Sequence, residues 1–484
     1  MQILKYFILF LPVFTSFSSY GQIVFEKTYG NAQEERGEGI VQLPDSSYIV
    51  VGATSSFGDL STNLLLLKID SLGNAVWTKI FGGSNVDAGM EIIPTSDGNL
   101  AMIGYTNSFG AGGYDVYFIK ADIHGTVLLS RTYGGADWDL GYSIAETSDG
   151  GFVLTGETYS SGSGSNDAFI LKIDALGDTV WSKEFGGAGS EIGWSIEEAA
   201  NGDLLLAGET SSTGAGQTDA WLVRVDNNGT LIWEKTYGDA GDDTGKDMVE
   251  LSNGNIMFVW NTITPGNSYW STIQSKINPT NGNEMGNQIF SNPFNYFSHK
   301  VITYTGRSTT LTVGYISPGV TLDDMVFFGL DTGGMNYDAI CPALSLGGSG
   351  PDYGKDIITT SDGGVALVGE RNVGTGYASV FVVKLMGDCI GTGATTHDSI
   401  FVTDILQYET DITTVYPNPT RGLIYINSNK KWEKFKILNT WGKLLEEFRC
   451  NEQVQFETSL PSGMYFLVVE NGDEKVTLKL VISR

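Results

Sequence analysis

One register of 52 residues recurs along most of this chain, and it constrains the fold more than any other feature. The register is marked by Gly30, Gly82, Gly134, Gly186 and Gly238, and by Asp70, Asp122, Asp174 and Asp226. Each aspartate ends an apolar run such as LLLLKID, and a short turn and a second run follow it. A period of about 40–50 residues with several short strands is typical of β-propeller blades.

A single unit, residues 142–186, predicts four antiparallel strands. Segments 142–147 and 152–157 flank the turn SDGG, and segments 168–174 and 179–185 flank the turn ALGD. Asp-Gly and D-x-x-G turns are tight, so the strands on either side of each must pair as a hairpin. The pattern places the G-x-x-I strand innermost and the tryptophan-bearing strand outermost in each blade.

The G-x-x-I position occurs seven times, at Ile40, Ile92, Ile144, Ile196, Met248, Val301 and Ile357. The seventh unit, 355–386, has only three strands, so we expect residues 23–29 to supply its outer strand and close the ring. The predicted organisation is all-β. It comprises a signal peptide at 1–21, a seven-bladed β-propeller of four-stranded blades at 22–388, a linker at 389–411 and a small β-sandwich at 412–484.

The N-terminal segment and the overall charge indicate an exported protein. Lys5, an apolar stretch at 6–14 and small residues at 19 and 21 are typical of a secretory signal peptide, and the stretch is too short to span a bilayer. No later stretch approaches 18 apolar residues, so we expect no transmembrane segment in the mature chain. The net charge of −28 argues against nucleic acid or anionic lipid as a partner. Of three cysteines, Cys341 and Cys389 are the better placed for a disulfide, and Cys450 is expected to be unpaired.

Segments 68–77, 172–181 and 224–233 share the pattern [KR]-[IV]-D-x-x-G-x-x-x-W. This pattern resembles the tryptophan-docking motif of quinoprotein propellers. The resemblance implies that Trp77, Trp181 and Trp233 pack between neighbouring blades, with Leu129 and Phe25 in the equivalent places. No quinone-binding residue can be matched, so only the packing role carries over.

The last 70 residues contain YPNPTRG at 416–422, LNTWGKLL at 438–445, LPSGMYFLVV at 460–469 and KLVI at 479–482. Together they resemble the type A C-terminal sorting domain of the type IX secretion system of Bacteroidota. The matching positions are Tyr416, Pro417, Asn418, Pro419, Gly422, Gly463, Tyr465 and Lys479. The resemblance implies Sec export, passage through the outer membrane, and removal of the domain by a sortase-like peptidase. The cargo would then be released or tethered at the cell surface. The competing interpretation is an ordinary sandwich that serves as a binding module.

An acid precedes the inner strand of six units, at Glu35, Asp87, Asp139, Glu191, Asp243 and Asp352. One hypothesis is a ring of carboxylates at the mouth of the central channel that attracts Ca²⁺ or a basic ligand, since carboxylate oxygens suit hard cations. The alternative is that each acid accepts backbone N–H bonds and orders its own connection. Repetition in nearly every blade favours the alternative. No other cofactor or metal site is indicated.

Units five and six lose the repeat signature and gain aromatic residues. Candidate ligand-binding residues are Trp260, Tyr269, Trp270, Phe294, Tyr296 and Phe297, joined by Trp138, Tyr142 and Trp194 on the same face. Aromatic rings beside polar groups suit stacking of a sugar or peptide. The alternative is that bulky residues only fill gaps in irregular blades.

The sequence shows no recognisable catalytic motif. The histidines, His124, His299 and His397, have no metal-ligand or triad spacing. We therefore expect a non-catalytic binding module for a glycan, peptide or surface partner. A propeller hydrolase or lyase acting on polysaccharide through channel-mouth carboxylates is the rival hypothesis. A purely structural surface protein is the third, favoured by the regularity of the first four units.

Overall fold

The computed structural model describes residues 22–30, 33–56, 61–263, 269–291, 295–304, 309–317, 323–331, 336–337, 344–347, 350–372, 377–386, 400–402, 413–416, 423–428, 434–439, 443–449, 455–471 and 474–482. The regular structure in these ranges is entirely β-strand. Within them, no helix is present that could cross a membrane. Several predictions lie outside the described residues: the signal peptide, the pairing of Cys341 with Cys389, unpaired Cys450, Phe294, and the sorting-motif residues Pro417, Asn418, Pro419 and Gly422.

Strand β1 (Gln22–Tyr29) precedes five sheets, each made of four consecutive antiparallel strands. Blade 1 contains β2 (Glu35–Gln42), β3 (Tyr48–Thr54), β4 (Asn63–Ile69) and β5 (Ala75–Phe81). Blade 2 contains β6 (Asp87–Pro94), β7 (Leu100–Thr106), β8 (Asp115–Ala121) and β9 (Val127–Tyr133). Blade 3 contains β10 (Asp139–Glu146), β11 (Phe152–Thr158), β12 (Asp167–Ile173) and β13 (Thr179–Phe185). Blade 4 contains β14 (Glu191–Glu198), β15 (Leu204–Thr210), β16 (Asp219–Val225) and β17 (Leu231–Tyr237). Blade 5 contains β18 (Asp242–Glu250), β19 (Ile256–Ile263), β20 (Ser271–Ile277) and β21 (Glu284–Phe290).

The sixth and seventh sheets depart from this pattern in their outer strands. Blade 6 contains β22 (Asn295–Tyr304), β23 (Thr309–Ser317) and β24 (Asp324–Asp331), and both β25 (Asn336–Tyr337) and β26 (Leu344–Leu346) pair with β24. Blade 7 contains β27 (Asp352–Thr359), β28 (Val365–Asn372) and β29 (Ala378–Met386), and its outer position is filled by β1. Strand β30 (Ile400–Val402) adds to β1 in parallel.

The seven sheets form a closed ring around a central channel. The first strand of each blade contacts the first strand of the next, and β27 of blade 7 contacts β2 of blade 1. Strand β1 pairs antiparallel with β29, with Tyr29 opposite Val380. Arg371 in β28 donates to Glu26 in β1 at 2.7 Å, which links the closing strand to the inner part of its sheet. The predicted seven-bladed propeller is therefore confirmed, with the G-x-x-I strand innermost.

The outer strand of one blade docks on the D-x-x-G turn of the next. A Cβ atom added at Gly125 would lie 3.1 Å from Trp77, and one at Gly229 would lie 3.0 Å from Trp181. The same addition at Gly73 would lie 2.7 Å from Phe25. The indole Nε1 of Trp181 also donates to the carbonyl of Asn227 in the next blade at 3.2 Å. The tryptophans thus pack between neighbouring blades, as the docking motif implies.

Each inner strand carries a β-bulge, and in six of the seven blades the bulge begins opposite a glycine of the second strand. The glycines are Gly52, Gly104, Gly156, Gly208, Gly314 and Gly369, and blade 5 has Trp260 at this position. A Cβ atom added at Gly156 would lie 1.8 Å from the carbonyl oxygen of Leu140. The repeat glycine of the second strand is therefore required by the close approach of two backbones.

We expect Gly156→Ala to lower the free energy of unfolding by about 3 kcal/mol, because the added methyl group must push the inner strand away. Gly150→Ala is the matched control. A Cβ atom added at Gly150 would meet no other atom within 4 Å. The only cost of the substitution is the backbone φ of 82° at this residue, which disfavours a side chain by about 1 kcal/mol. Denaturant titration of both variants checks the difference; equal losses would contradict the steric explanation.

The C-terminal strands form two sheets. One contains β31 (Thr413–Tyr416), β32 (Leu423–Ser428) and, further along the chain, β35 (Gln455–Glu457); the other contains β33 (Lys434–Leu438), β34 (Leu444–Arg449), β36 (Gly463–Asn471) and β37 (Glu474–Ile482). A core cluster includes Phe435, Ile437, Leu467 and Leu480. This arrangement is the small β-sandwich that the sequence predicts.

Candidate functional site

The six acids that precede the inner strands are buried, with at most 4% of their surface exposed. Asp87 accepts from the Gly83 amide at 2.8 Å and the Ser108 hydroxyl at 2.7 Å, and it also accepts from Thr106. Burial raises the pKa of Asp87 to about 6, although these donors oppose the shift.

The other five acids are bonded in similar ways. Asp139 accepts from the Gly135 amide at 2.7 Å and from Ser160, and Glu191 accepts from the Gly187 amide at 2.8 Å and from Thr210. The remaining bonds are Thr54 to Glu35 at 3.2 Å, the Asp239 amide to Asp243 at 2.8 Å, and Arg371 to Asp352 at 2.8 Å. These contacts match the alternative interpretation, in which each acid orders its own connection. Within the described ranges, no group of three or more His, Cys, Asp or Glu could hold a metal ion.

The aromatic candidates of blades 5 and 6 occupy different environments. Trp260 is 7% exposed, belongs to a core cluster and donates to the Ser275 hydroxyl at 3.0 Å, so its predicted role in ligand contact is wrong. Tyr296 is half-buried and packs against the core between blades 5 and 6. Tyr269 and Trp270 are also half-buried, and the Trp270 amide donates to Asn295 at 2.8 Å.

Trp138 is the centre of an exposed group of rings on the long-loop face. It is 52% exposed, and Tyr159 beside it is 43% exposed. The ring of Tyr114 meets the edge of Trp138 at 5.5 Å between centroids, Tyr105 meets Tyr114 at 5.5 Å, and Tyr159 lies 6.1 Å from Trp138. We call Tyr105, Tyr114, Trp138 and Tyr159 the aromatic patch. They belong to blade 2, blade 3 and the connection between those blades.

A second set of residues lines the channel, at the position that follows the repeat glycine of each inner strand. We call these residues the channel ring: Glu38, Met90, Tyr142, Trp194, Lys246, His299 and Lys355. The β-bulge begins here in every blade, and a bulge re-aims side chains. Of the ring, the sequence singled out Tyr142, Trp194 and His299, but not the set. The signal for it is that this position varies between blades while its neighbours repeat.

Blades 3 to 5 contribute a continuous stack of side chains to the channel ring. Tyr142 stacks on Trp194 with centroids 4.7 Å apart, and the Lys246 ammonium lies 4.1 Å from the Trp194 ring centroid. The indole of Trp194 donates to Glu209 at 2.9 Å, and Lys246 lies 3.6 Å from the same carboxylate. A cation above an aromatic ring is stabilised by the ring's negative face. The three side chains thus form one stack that is tied to Glu209 by the Trp194 indole and the Lys246 ammonium.

Two carboxylates beside this stack come from the second strands of blades 3 and 4. Glu157 accepts from the Tyr142 hydroxyl at 2.6 Å and from the Asn166 amide at 2.7 Å. Burial raises the pKa of Glu157, and the nearby charge of Glu209 raises it further. Two neighbouring carboxylates thus lie beside the stack, and burial favours the protonated form of Glu157.

Blades 6, 7 and 1 complete the ring. The Lys355 ammonium lies 3.4 Å from Glu370 and 3.8 Å from Glu38. Burial raises the pKa of Glu38 despite that ammonium. The imidazole of His299 stacks against Tyr315 at 5.9 Å, and burial together with Lys355 and Lys246 holds its pKa well below the usual value. His299 is therefore neutral at pH 7.

An ion pair spans the channel one residue further along the inner strands. Lys300 of blade 6 forms an ion pair with Glu91 of blade 2 at 2.6 Å, and those blades are nearly opposite each other in the ring. Asp247 lies 4.0 Å from Lys300 and accepts from the Val301 amide at 2.7 Å. Asp356 accepts from the Ile40 amide at 2.9 Å, and the charge of Lys300 acts on its pKa. We call Glu91, Asp247, Lys300 and Asp356 the channel floor. We call the channel mouth on the ring side of this floor the cup.

A separate cavity of about 770 Å³ lies between blades 2 and 3, lined in part by Asp115, Arg131, Tyr133 and Glu184. None of the channel-ring residues lines it. We place the candidate site at the cup instead, because the cup brings together charges and rings from all seven blades.

The comparisons with known proteins bear first on the C-terminal sheets. Residues 414–483 match the family model of a secretion system C-terminal sorting domain. This segment is a type IX sorting domain. This domain directs the chain, a type IX cargo, to secretion and to the cell surface.

Two of the sorting-motif residues, Gly463 and Tyr465, lie close together at the start of β36. The Tyr465 hydroxyl donates to the Pro461 carbonyl at 2.9 Å, and a Cβ atom added at Gly463 would lie 3.3 Å from the Tyr465 ring. Tyr416 pairs with Tyr425, and Lys479 pairs with Phe466 in the strand ladders. The motif glycine and tyrosine thus fix the start of β36.

Relatives of this type IX cargo match only at low identity. The regulatory protein FlaEY of Caulobacter vibrioides is 26% identical over 247 residues, which are 45% of this chain and 25% of that protein. The chain thus spans a quarter of the curated relative's length. The surface component PorZ of the type IX secretion system of Porphyromonas gingivalis has a TM-score of 0.41 at 12% identity, covering 92% of this chain and 59% of its own. The α-L-arabinofuranosidase Arb93A of Fusarium graminearum has a TM-score of 0.39 at 9% identity, covering 76% and 97%.

Proposed function

We propose that the propeller is a non-catalytic module that binds an extracellular glycan at the cup and the aromatic patch. The observation that carries this proposal is the exposed ring of Trp138, held edge-on by Tyr114 and Tyr159 beside a mouth lined with carboxylates. Amphipathic rings next to hydrogen-bonding groups suit a sugar, which has apolar C–H faces and polar edges. A peptide or a protein surface is the competing ligand.

The secretion route supplies the partners of the C-terminal domain. We propose that the type IX machinery recognises that domain and that a sortase-like peptidase removes it. The propeller is then released or tethered where it can meet polysaccharide.

The expected result for Trp138→Ala is a loss of about tenfold or more in affinity for the bound glycan, because a large solvent-facing anchor is removed. Leu176→Ala is the matched control, since Leu176 is 65% exposed on the tight-turn face. A panel of polysaccharides and peptides, tested with the full chain and both variants, measures the effect. Unchanged glycan affinity in Trp138→Ala, or binding of peptides only, would contradict the proposal.

A polysaccharide hydrolase is the second candidate, favoured by one observation. Glu157 and Glu209 are neighbouring carboxylates, and the pKa of Glu157 is raised by burial and by Glu209. A carboxyl group with a raised pKa beside a second carboxylate is a usual arrangement of acid and base in glycoside hydrolysis. The same incubations should therefore be analysed for new reducing ends. Products that disappear in Glu157→Gln would replace the binding proposal with this one.

A further inference from the structure

Three successive blades place a nitrogen-bearing side chain at the same position of the inner strand. Lys246, His299 and Lys355 occupy the channel-ring position of blades 5, 6 and 7. Equivalent positions on adjacent inner strands lie at one level of the channel, so the three side chains form an arc. The charges of both lysines help to hold the pKa of His299 low, as expected for side chains on adjacent inner strands.

The ammonium groups of this arc have loose ion pairs. Lys246 lies 3.6 Å from Glu209, and Lys355 lies 3.4 Å from Glu370 and 3.8 Å from Glu38. A good charge-assisted hydrogen bond is shorter, at about 2.7–2.9 Å. Each ammonium thus retains the capacity for a closer contact with an anionic oxygen of a ligand. The neutral imidazole of His299 adds one donor or acceptor between them.

The opposite side of the cup has the complementary chemistry. Glu157 and Glu209 present acceptor oxygens on blades 3 and 4, next to the Tyr142–Trp194 stack. Carboxylates accept from hydroxyl groups, whereas ammonium groups donate to anions. A ligand that fits both sides has hydroxyl donors on one edge and a carboxylate on the other.

Building on the glycan-binding function proposed above, we propose that Lys246, His299 and Lys355 form a subsite for the carboxylate of a uronic acid residue. Because the Lys300–Glu91 ion pair spans the channel below the ring, we place the end of a chain there and not its middle. The hydroxyl groups of that residue face Glu157 and Glu209. An acidic peptide would satisfy the lysines but would bring no sugar hydroxyl groups to these two carboxylates, which already accept from Tyr142 and Trp194.

The test uses the full chain and two probes of the same shape: a trisaccharide of galacturonic acid and its fully methyl-esterified form. Calorimetric titration is expected to show that the acid binds at least about tenfold more tightly than the ester, since a charged hydrogen bond is lost on esterification. In Lys246→Gln/Lys355→Gln the preference should fall to about twofold or less, while the ester still binds. Retained ester binding shows that the variant is folded. Lys235→Gln, on the exposed outer strand β17, is the control and should keep the preference.

The outcomes separate this inference from the broader function. Equal binding of acid and ester by the unaltered protein would overturn the subsite and leave glycan binding intact. A preference for the acid that persists in the double variant would also overturn the subsite. An undiminished preference in Lys246→Gln alone would do the same. Absence of binding to every glycan in the polysaccharide panel would overturn both, and preferential binding of an acidic peptide would overturn the uronic acid assignment.

Discussion

Lys300→Met is expected to lower the free energy of unfolding of the propeller by about 3–5 kcal/mol at pH 7. The substitution removes the cation that pairs with Glu91 at 2.6 Å and lies 4.0 Å from Asp247. Three carboxylates of the channel floor would then stay buried without a nearby ammonium group. Denaturant titration followed by tryptophan fluorescence measures the loss. Lys235→Met, on the exposed face of an outer strand, should change stability by less than about 0.5 kcal/mol.

This prediction includes a dependence on pH. Burial raises the pKa of Asp356 to about 6, with Lys300 opposing and Glu91 adding to the shift, whereas an unfolded aspartate titrates near about 3.9. The folded state therefore binds the proton more tightly, so this group's effect on stability becomes less favourable as pH rises from about 4 to about 6. Without Lys300 the folded pKa should rise further. The difference between Lys300→Met and the unaltered protein should therefore shrink towards pH 5, and a constant difference would contradict the mechanism.

Loss of the closing strand is the second large effect. Deleting residues 22–29 should abolish the cooperative unfolding of the propeller, because blade 7 would lose its outer strand and the contacts of that strand with blade 1. Tyr29 is fully buried, and its hydroxyl donates to the Gly73 carbonyl at 2.6 Å. Limited proteolysis and thermal unfolding measure the outcome.

Point substitutions at Tyr29 separate packing from hydrogen bonding. Tyr29→Ala should cost about 3–5 kcal/mol through the cavity it leaves, and Tyr29→Phe about 1 kcal/mol through the lost bond. A synthetic peptide with the sequence of β1 should restore protease resistance to the deleted protein. Equal stability of the deletion and the intact chain would show that the ring does not need this strand.

The repeat was enough to predict the number of sheets, their strand order and the docking of Trp77, Trp181 and Trp233, because each depends on local turns and on recurring apolar positions. The repeat did not predict which residues form the cup. The acids such as Asp87 recur because every connection needs an acceptor, so their recurrence reflects a structural need. The channel ring lies at the position that does not recur, and the bulge that turns Lys246 or Lys355 into the channel leaves no periodic trace in the sequence. Trp260 was misplaced because an aromatic residue in an irregular blade can fill a core as readily as it can contact a ligand.

Pairing of β1 with β29 also determines the order in which the protein can acquire its structure. Synthesis and export deliver the N-terminus first, yet Tyr29 meets Val380 only after all seven blades have emerged. Until then β1 is an apolar strand without its neighbour, and such strands associate readily with other chains. Contacts so distant in sequence also form slowly. The architecture thus requires the whole propeller sequence to be available before the ring can close, and a chain that is handled before that point has an open ring.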